Sequence, residues 1–245
     1  MSDKNIHIII QARTGSTRLP NKVLKKLNNK IVLKHVVDRL DKSKYCDKVI
    51  VCTTVKEKDN TISDFCISNN IDFHRGSELN VLERYYETAL KYKSDIIVRC
   101  TSDCPLIDSY YVDLMIEKFL NNDLNFLEEK YFGNHKFPDG FNCEIFTFDV
   151  LKEANENANE SELEHVSGYI QNKYKKIEFE YPISYDNFKN IDFSNLHLSL
   201  DTLDDYKLLK SIFDNVYSKK NDFTLIDVLN YLNSNPSILY KDTLN

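Results

Sequence analysis

The stretch that decides the fold is residues 8–24, IIIQARTGSTRLPNKVL. A continuous apolar run stops at Gln11. Two arginines (Arg13, Arg18), a lysine (Lys22), one glycine (Gly15) and three hydroxyl residues (Thr14, Ser16, Thr17) follow before apolar residues resume. Apolar character without alternation is what a strand covered on both faces requires. A cationic, hydroxyl-rich loop directly after such a strand suits a polyphosphate, because backbone N–H groups and basic side chains converge where a strand ends in an α/β sheet. The same residues would also make a solvated basic turn. Their spacing is neither GxxxxGK[ST] nor GxGxxG, so neither an ATPase nor a dinucleotide reading follows.

Outward from this stretch, strand and helix patterns alternate. A strand is predicted over 6–10, and a helix over 32–40 with Val32, Val36, Val37 and Leu40 on one face. A second buried strand is expected over 48–54 (KVIVCTT), a helix over 60–69, and a short strand over 71–74 ended by Arg75 and Gly76. An amphipathic helix over 79–92 turns Leu82, Tyr85, Tyr86 and Ala89 inward; a strand over 95–100 and a helix over 111–120 follow. This alternation means βαβ units and a mainly parallel sheet. Right-handed crossovers then bring the polar loops 11–22 and 101–108 to one edge.

The second half reads differently. Aromatic-rich strands are expected over 125–149 around the turn KFPDGFN. A helix is expected over 161–174 with Ser161 as N-cap and Glu164 in the capping-box position. Strands are predicted over 177–181 and 196–200, the latter ending at Asp201, and helices over 204–216 and 225–232. Without an internal repeat or a break in composition, one domain over 1–245 with an inserted excursion around 125–145 is the simplest account.

Composition narrows the function classes. The 245 residues carry a net charge of −6 with both signs spread along the chain, which argues against a general nucleic-acid surface. Fifteen Tyr and fourteen Phe supply large apolar area for a core. The six cysteines make no CxxC pair, and the four-residue spacing of Cys100 and Cys104 has no second ligand pair, so buried free thiols in a reducing compartment are expected rather than zinc. The start MSDKNIH has no apolar leader and no run approaches a membrane span, so a cytoplasmic protein without membrane association is expected.

Two aspartates stand where apolar segments end. Asp103 follows IIV in RCTSDCPLID, and Asp201 follows HLSL. Either could serve in a turn or cap a helix. Together with the basic loop they suit a metal–nucleotide site, because attack on phosphorus needs charge screening and a clamp on the attacking and leaving oxygens. Asp108 is expected to cap the following helix. His165, in ELEHV, reads as structural, and Glu144, on the apolar strand CEIFTF, should face a polar cavity or solvent. Nothing in the order or spacing of Ser, Cys and His residues suggests a nucleophile.

Six blocks in order, IIIQARTGSTRLPNKVL, RGSELNVLERYYETA, RCTSDCPLID, FPDGFNCEIFTF, SELEHVSGYI and LSLDTLDDYKLL, resemble the cytidylyltransferases that make CMP-activated acidic sugars, especially the branch named after the spore-coat polysaccharide protein SpsF. The resemblance covers most of the chain. It implies an α/β, Rossmann-like nucleotidyltransferase fold of the nucleotide-diphospho-sugar transferase type, with a mainly parallel sheet, a dimerisation arm and a homodimer. It implies CTP held by Gln11, Ala12, Arg13, Thr14, Gly15, Ser16, Arg18, Lys22, Thr54, Glu78, Arg84, Thr101, Ser102 and Asp103. Mg²⁺ would lie on Asp103 and Asp201, and a small anionic acceptor would lie near Glu144, Glu164, His165 and His197. Arg13, Arg18, Lys22, Asp103 and Asp201 would carry the catalysis. Ser102 stands where the family usually has glycine, Leu163 and His197 where it often has arginine, and Ser167-Gly168 where it has Thr-Pro. The implied acceptor is a 2-keto-3-deoxy sugar acid. A sugar phosphate or phosphorylated small acid giving a CDP-type product is the alternative, and a non-catalytic nucleotide-binding subunit the other.

Overall fold

β1 (Ile6–Gln11) lies inside a six-stranded sheet, hydrogen-bonded on both sides to parallel neighbours. These come from a computed structural model that describes residues 4–128, 131–132, 135–136, 138–174, 179, 181 and 185–239. β2 (Lys26–Leu27) and β3 (Lys30–Ile31) form a small antiparallel ribbon that leads into α1 (Val32–Leu40). β4 (Lys48–Thr54), α2 (Asn60–Ser68), β5 (Asp72–Gly76), α3 (Val81–Tyr92), β6 (Ile96–Thr101) and α4 (Ser109–Asn121) follow. The sheet runs β5-β4-β1-β6 in parallel, as the alternation predicts, and then β10-β7. β7 is Phe126–Glu128 and β10 is Glu144–Thr147; β10 runs antiparallel to both β6 and β7. Between them β8 (Tyr131–Phe132) and β9 (His135–Lys136) pair as a separate antiparallel ribbon, and residues 129–130, 133–134 and 137 of the expected excursion lie outside the described residues.

Alternate side chains of β1 explain why the run III, Ile8–Ile10, is unbroken. Ile8 and Ile10 join one apolar cluster, with Val36, Leu40 and Ile116, while Ile9 joins the other, with Leu82, Tyr85 and Phe146. α5 (Phe148–Asn157) and α6 (Gly168–Lys173) pack on the second face beside α3; α7 (Leu203–Ile212) and α8 (Leu225–Ser234) close the first. Asp108 caps α4 through Tyr111 N at 2.7 Å, and its other oxygen accepts from Leu225 N at 2.6 Å, so one carboxylate ties the starts of two helices. The six cysteines form no disulfide with one another. Among the described residues no helix is long and apolar enough to cross a membrane.

Two expectations need correction. The segment 161–174 is not one helix capped by Ser161. Asn159 makes the capping box with Glu162 over a short 3-10 turn (Glu160–Glu162), and α6 begins only at Gly168. The carbonyl of Leu163 is drawn away from helix continuation: it accepts from Val81 N and Leu82 N at 2.9 and 3.1 Å, the first two N–H groups of α3. Residues 196–200 are not a strand either. They make a single bridge, Asp139 to His197, and otherwise spend their N–H groups on loops: Leu198 N donates to Asp139 O and Leu200 N to Asp103 O. The crossing is close. Gly140 has φ +106°, and a Cβ there would stand 2.5 Å from the Leu198 carbonyl carbon, so only glycine fits. The strand expected over 177–181 lies outside the described residues apart from Phe179 and Tyr181. The predicted helix 204–216 ends its α-helical part at Ile212 and continues as a π-turn, Phe213–Tyr217.

His35 of α1 is fully enclosed, 4.4 Å from the ring of Phe213 and 5.1 Å from that of Tyr217. Its Nε2–H donates to Leu27 O at 2.8 Å, and Nδ1 has no partner. Burial lowers its pKa to about 4. The unfolded chain, with a His pKa of about 6.5, therefore takes up a proton the fold refuses. Stability from this group is complete above pH 6.5 and is lost as the pH falls towards 4, by roughly 3 kcal/mol in all. Melting curves should show the advantage of the native chain over His35→Gln shrinking by about that amount from pH 7 to pH 4. A gap that does not change with pH would contradict this.

Candidate active site

The basic loop is pinned before it reaches the cleft. Ala12 N still donates to the β4 carbonyl of Cys52 at 3.0 Å. Thr14 then donates its N–H (2.7 Å) and hydroxyl (2.6 Å) to one oxygen of Asp59, and Thr54 donates its hydroxyl to the other. Asp59 is fully buried, and a carboxylate suits three donors because it only accepts. The carbonyl of Thr14 closes the turn by accepting from Ser16 N and Asn21 N. Gly15 is packed against Lys58, whose Nζ lies 2.7 Å from where a Cβ would stand and 2.5 Å from Glu78. The lysine holds the Glu78 carboxyl below its usual pKa.

The two strand-end aspartates meet on this loop. In the register, Gln11 is level with Thr101, and Ser102 N donates to Gln11 O at 3.1 Å. Asp103 comes next, and its carbonyl holds Leu200 N at 2.8 Å, which brings Asp201 alongside. The α7 capping box sets the angle: Asp205 accepts from the backbone N–H of Asp201 (3.1 Å) and Thr202 (2.7 Å) and from the Thr202 hydroxyl (2.8 Å). Lys22 Nζ bridges the pair, 2.6 Å from Asp103 Oδ2 and 2.9 Å from Asp201 Oδ1. Arg18 Nη2 reaches that same Asp201 oxygen at 3.0 Å. Burial alone would raise the Asp201 pKa, but Lys22 and Arg18 outweigh it and lower it. Burial opposes the Lys22 charge as well, and Asp103 overcomes it, so the amine pKa is raised.

These groups line a cleft of about 330 Å³. Of the residues singled out in the sequence, Gln11, Ala12, Arg13, Gly15, Ser16, Arg18, Lys22, Arg84, Thr101, Ser102, Asp103, Glu164, His165 and Asp201 border it. Thr14, Thr54 and Glu78 stand behind it as supports. Glu144 is buried beside Arg99 rather than facing solvent or a cavity, at 2.6 Å. His197 lies in a neighbouring cavity of about 770 Å³ that shares Arg18, held by Asp139 at 2.8 Å and Asp201 at 3.3 Å. That cavity is larger but has neither Lys22 nor the paired aspartates on its wall, which makes the smaller cleft the candidate site.

Arg99, Asp59 and Lys58 are missing from the sequence reading. Arg99 had a signal: a charge inside the apolar strand IIVRC is costly and demands a partner. Asp59 had none, since it sits in the charged run KEKDN. Arg84, 2% exposed, bonds the carbonyl of Ser77, and no carboxylate pairs with it among the described residues. A buried cation left without a counter-ion beside a cleft suits an anionic or carbonyl-bearing ligand. Among the described residues no group of three or more His, Cys, Asp or Glu could hold a metal alone. Two hard carboxylates converging on one cation nevertheless fit Mg²⁺, which takes one or two carboxylates and completes its shell with phosphates and water.

A family model described as cytidylyltransferase matches residues 7–235. An uncharacterized protein from Methanocaldococcus jannaschii is 37% identical over 237 residues, 94% of this chain and 91% of that one. The spore coat polysaccharide biosynthesis protein SpsF of Bacillus subtilis is 29% identical over 238 residues, 95% of each chain. The solved structure of a cytidylyltransferase from Leptospira borgpetersenii serovar Hardjo-bovis superposes with a TM-score of 0.86 at 33% identity over 99% of each chain. The parallel sheet, the basic loop and these likenesses agree: the chain belongs to the cytidylyltransferase family and is a CTP-dependent nucleotidyltransferase.

Proposed function

We propose that the protein transfers CMP from CTP to an acidic sugar of the 2-keto-3-deoxy type, with release of pyrophosphate, for a surface polysaccharide. The observation that carries this reading is the aspartate pair bridged by Lys22 at the mouth of the basic loop. The ordered blocks shared with the enzymes of CMP-acidic sugars support the acceptor, and the likeness to the spore coat polysaccharide biosynthesis protein SpsF supports the polysaccharide. An acceptor hydroxyl oxygen attacks the α-phosphorus in line and gives up its proton to water; the new P–O bond forms as the bond to the bridging oxygen breaks, and pyrophosphate leaves. Arg13, Arg18 and Lys22 neutralise the phosphates, and Gly15 with the adjoining N–H groups lets the backbone approach them. Asp103 and Asp201 would hold Mg²⁺, which screens charge between nucleotide and acceptor. Little acid–base chemistry is needed, because positioning and charge stabilisation dominate this reaction class.

Pyrophosphate release with CTP and a panel of acceptors tests this, with the product identified by mass spectrometry. A CMP-sugar should form from a 2-keto-3-deoxy sugar acid and not from sugar phosphates or phosphorylated small acids. A CDP-type product from a phosphorylated acceptor would overturn the acceptor assignment, and silence with every acceptor would overturn the whole proposal.

A further inference from the structure

Lys22 occupies the place a cation would take. Its Nζ touches a carboxylate oxygen of Asp103 and one of Asp201, so those oxygens lie no more than about 5.5 Å apart, bridged at 2.6 and 2.9 Å. Two carboxylates so close repel unless a positive charge sits between them. The lysine is well placed to supply it, since its side chain is only 13% exposed. Mg²⁺ needs oxygen ligands at about 2.0–2.1 Å and cannot share that position with an ammonium group. The backbone of Lys22 is fixed: its N–H donates to Leu19 O, and it opens a 3-10 turn (Lys22–Leu24) behind Asn21, whose φ is +56°. The four-carbon stem is therefore the part able to move. The ligands able to draw the amine off are anions, and it stands on the wall of the same cleft as Arg13, Gly15 and Ser16.

We propose that Lys22 is a resident counter-ion for Asp103 and Asp201, and that the nucleotide's phosphates must draw it away before a divalent cation can bind, so that nucleotide and metal load together. The proposal rests on the reading of Asp103 and Asp201 as metal ligands. It gives Lys22 two successive roles: it holds the carboxylates apart and oriented in the free protein, then neutralises phosphate. Coupling of this kind is reciprocal, so metal should tighten nucleotide binding as much as nucleotide tightens metal binding.

Electron paramagnetic resonance titration with Mn²⁺ tests it without turnover. Free native protein should bind Mn²⁺ weakly. Free Lys22→Gln should bind it about tenfold more tightly or better. With the α,β-methylene analogue of CTP, the native affinity should rise sharply and that of Lys22→Gln much less. Arg18→Gln is the control for a general charge effect: Arg18 touches the same Asp201 oxygen but its side chain is 65% exposed, so its loss should change Mn²⁺ affinity far less. Lys22→Met, with melting curves, guards against a folding artefact. Equal affinity of free native protein and free Lys22→Gln would overturn the proposal, and so would an equal gain in Arg18→Gln. If Mn²⁺ binding in the presence of the analogue is unchanged by Asp103→Asn and Asp201→Asn, the metal-ligand reading itself fails, and the proposal with it.

Discussion

Asp103→Asn is expected to lower turnover of CTP by two to three orders of magnitude, about 2.7–4 kcal/mol of transition-state stabilisation, with the fold intact. Asparagine has the shape of aspartate and lacks its charge. What Asp103 does for the fold is done by its backbone, whose carbonyl holds Leu200 N at 2.8 Å; its side chain spends its strongest bond on Lys22 at 2.6 Å. The substitution therefore keeps the loop that brings Asp201 alongside and removes one of the two negative charges at the reacting centre. Lys22 is left to Asp201 alone. In a reaction that runs on positioning and charge stabilisation, such a loss falls on kcat more than on nucleotide binding. Pyrophosphate release at saturating CTP and acceptor, with a melting curve beside it, checks both halves. Near-native turnover in a folded variant would remove Asp103 from the chemistry.

The parallel half of the sheet is legible in the sequence because its signals are local. The bounds expected for 32–40 and 48–54 coincide with α1 and β4, since unbroken apolar runs and a 3.6-residue period need no knowledge of distant residues. The convergence of loops 11–22 and 101–108 follows from the handedness of the crossovers. The second half is less legible because its structure is decided by partners far along the chain. The helix predicted over 161–174 fails where the Leu163 carbonyl is taken by the start of α3, some eighty residues earlier. HLSL reads as a strand by its alternation, yet among the described residues it makes only the isolated bridge of His197 to Asp139, and its N–H groups go to the loops around Asp103 and Asp139. Asp59 escapes notice for a related reason: a carboxylate in a charged surface run looks solvated until the fold shows Thr14 and Thr54 closing over it.

Arg99→Met is expected to cost about 3–5 kcal/mol of stability, because it strands a buried carboxylate. Arg99 and Glu144 are register partners on β6 and β10, and the guanidinium lies 2.6 Å from Glu144 and 3.3 Å from the side-chain oxygen of Gln11. Burial alone would lower the Arg99 pKa; the Glu144 charge outweighs it and the pKa is raised, which marks a pair whose members need one another. The other oxygen of Glu144 meets the Gln171 amide nitrogen at 3.1 Å, which also lies 3.1 Å from Glu128 and 3.2 Å from the Ser167 hydroxyl. An amide cannot replace the lost cation. For a chain of this size the expected fall in melting temperature is about 10 °C. The double variant Arg99→Met/Glu144→Leu should recover most of the loss, because the penalty lies in an unpaired buried charge rather than in forfeited attraction, and an apolar pair of similar volume has no charge to desolvate. Gln171 keeps Glu128 and Ser167 as partners in that background. Urea or thermal unfolding of the two variants separates the explanations: a double variant no more stable than Arg99→Met alone would mean that the ion pair is itself a net stabiliser of the sheet between its parallel and antiparallel halves.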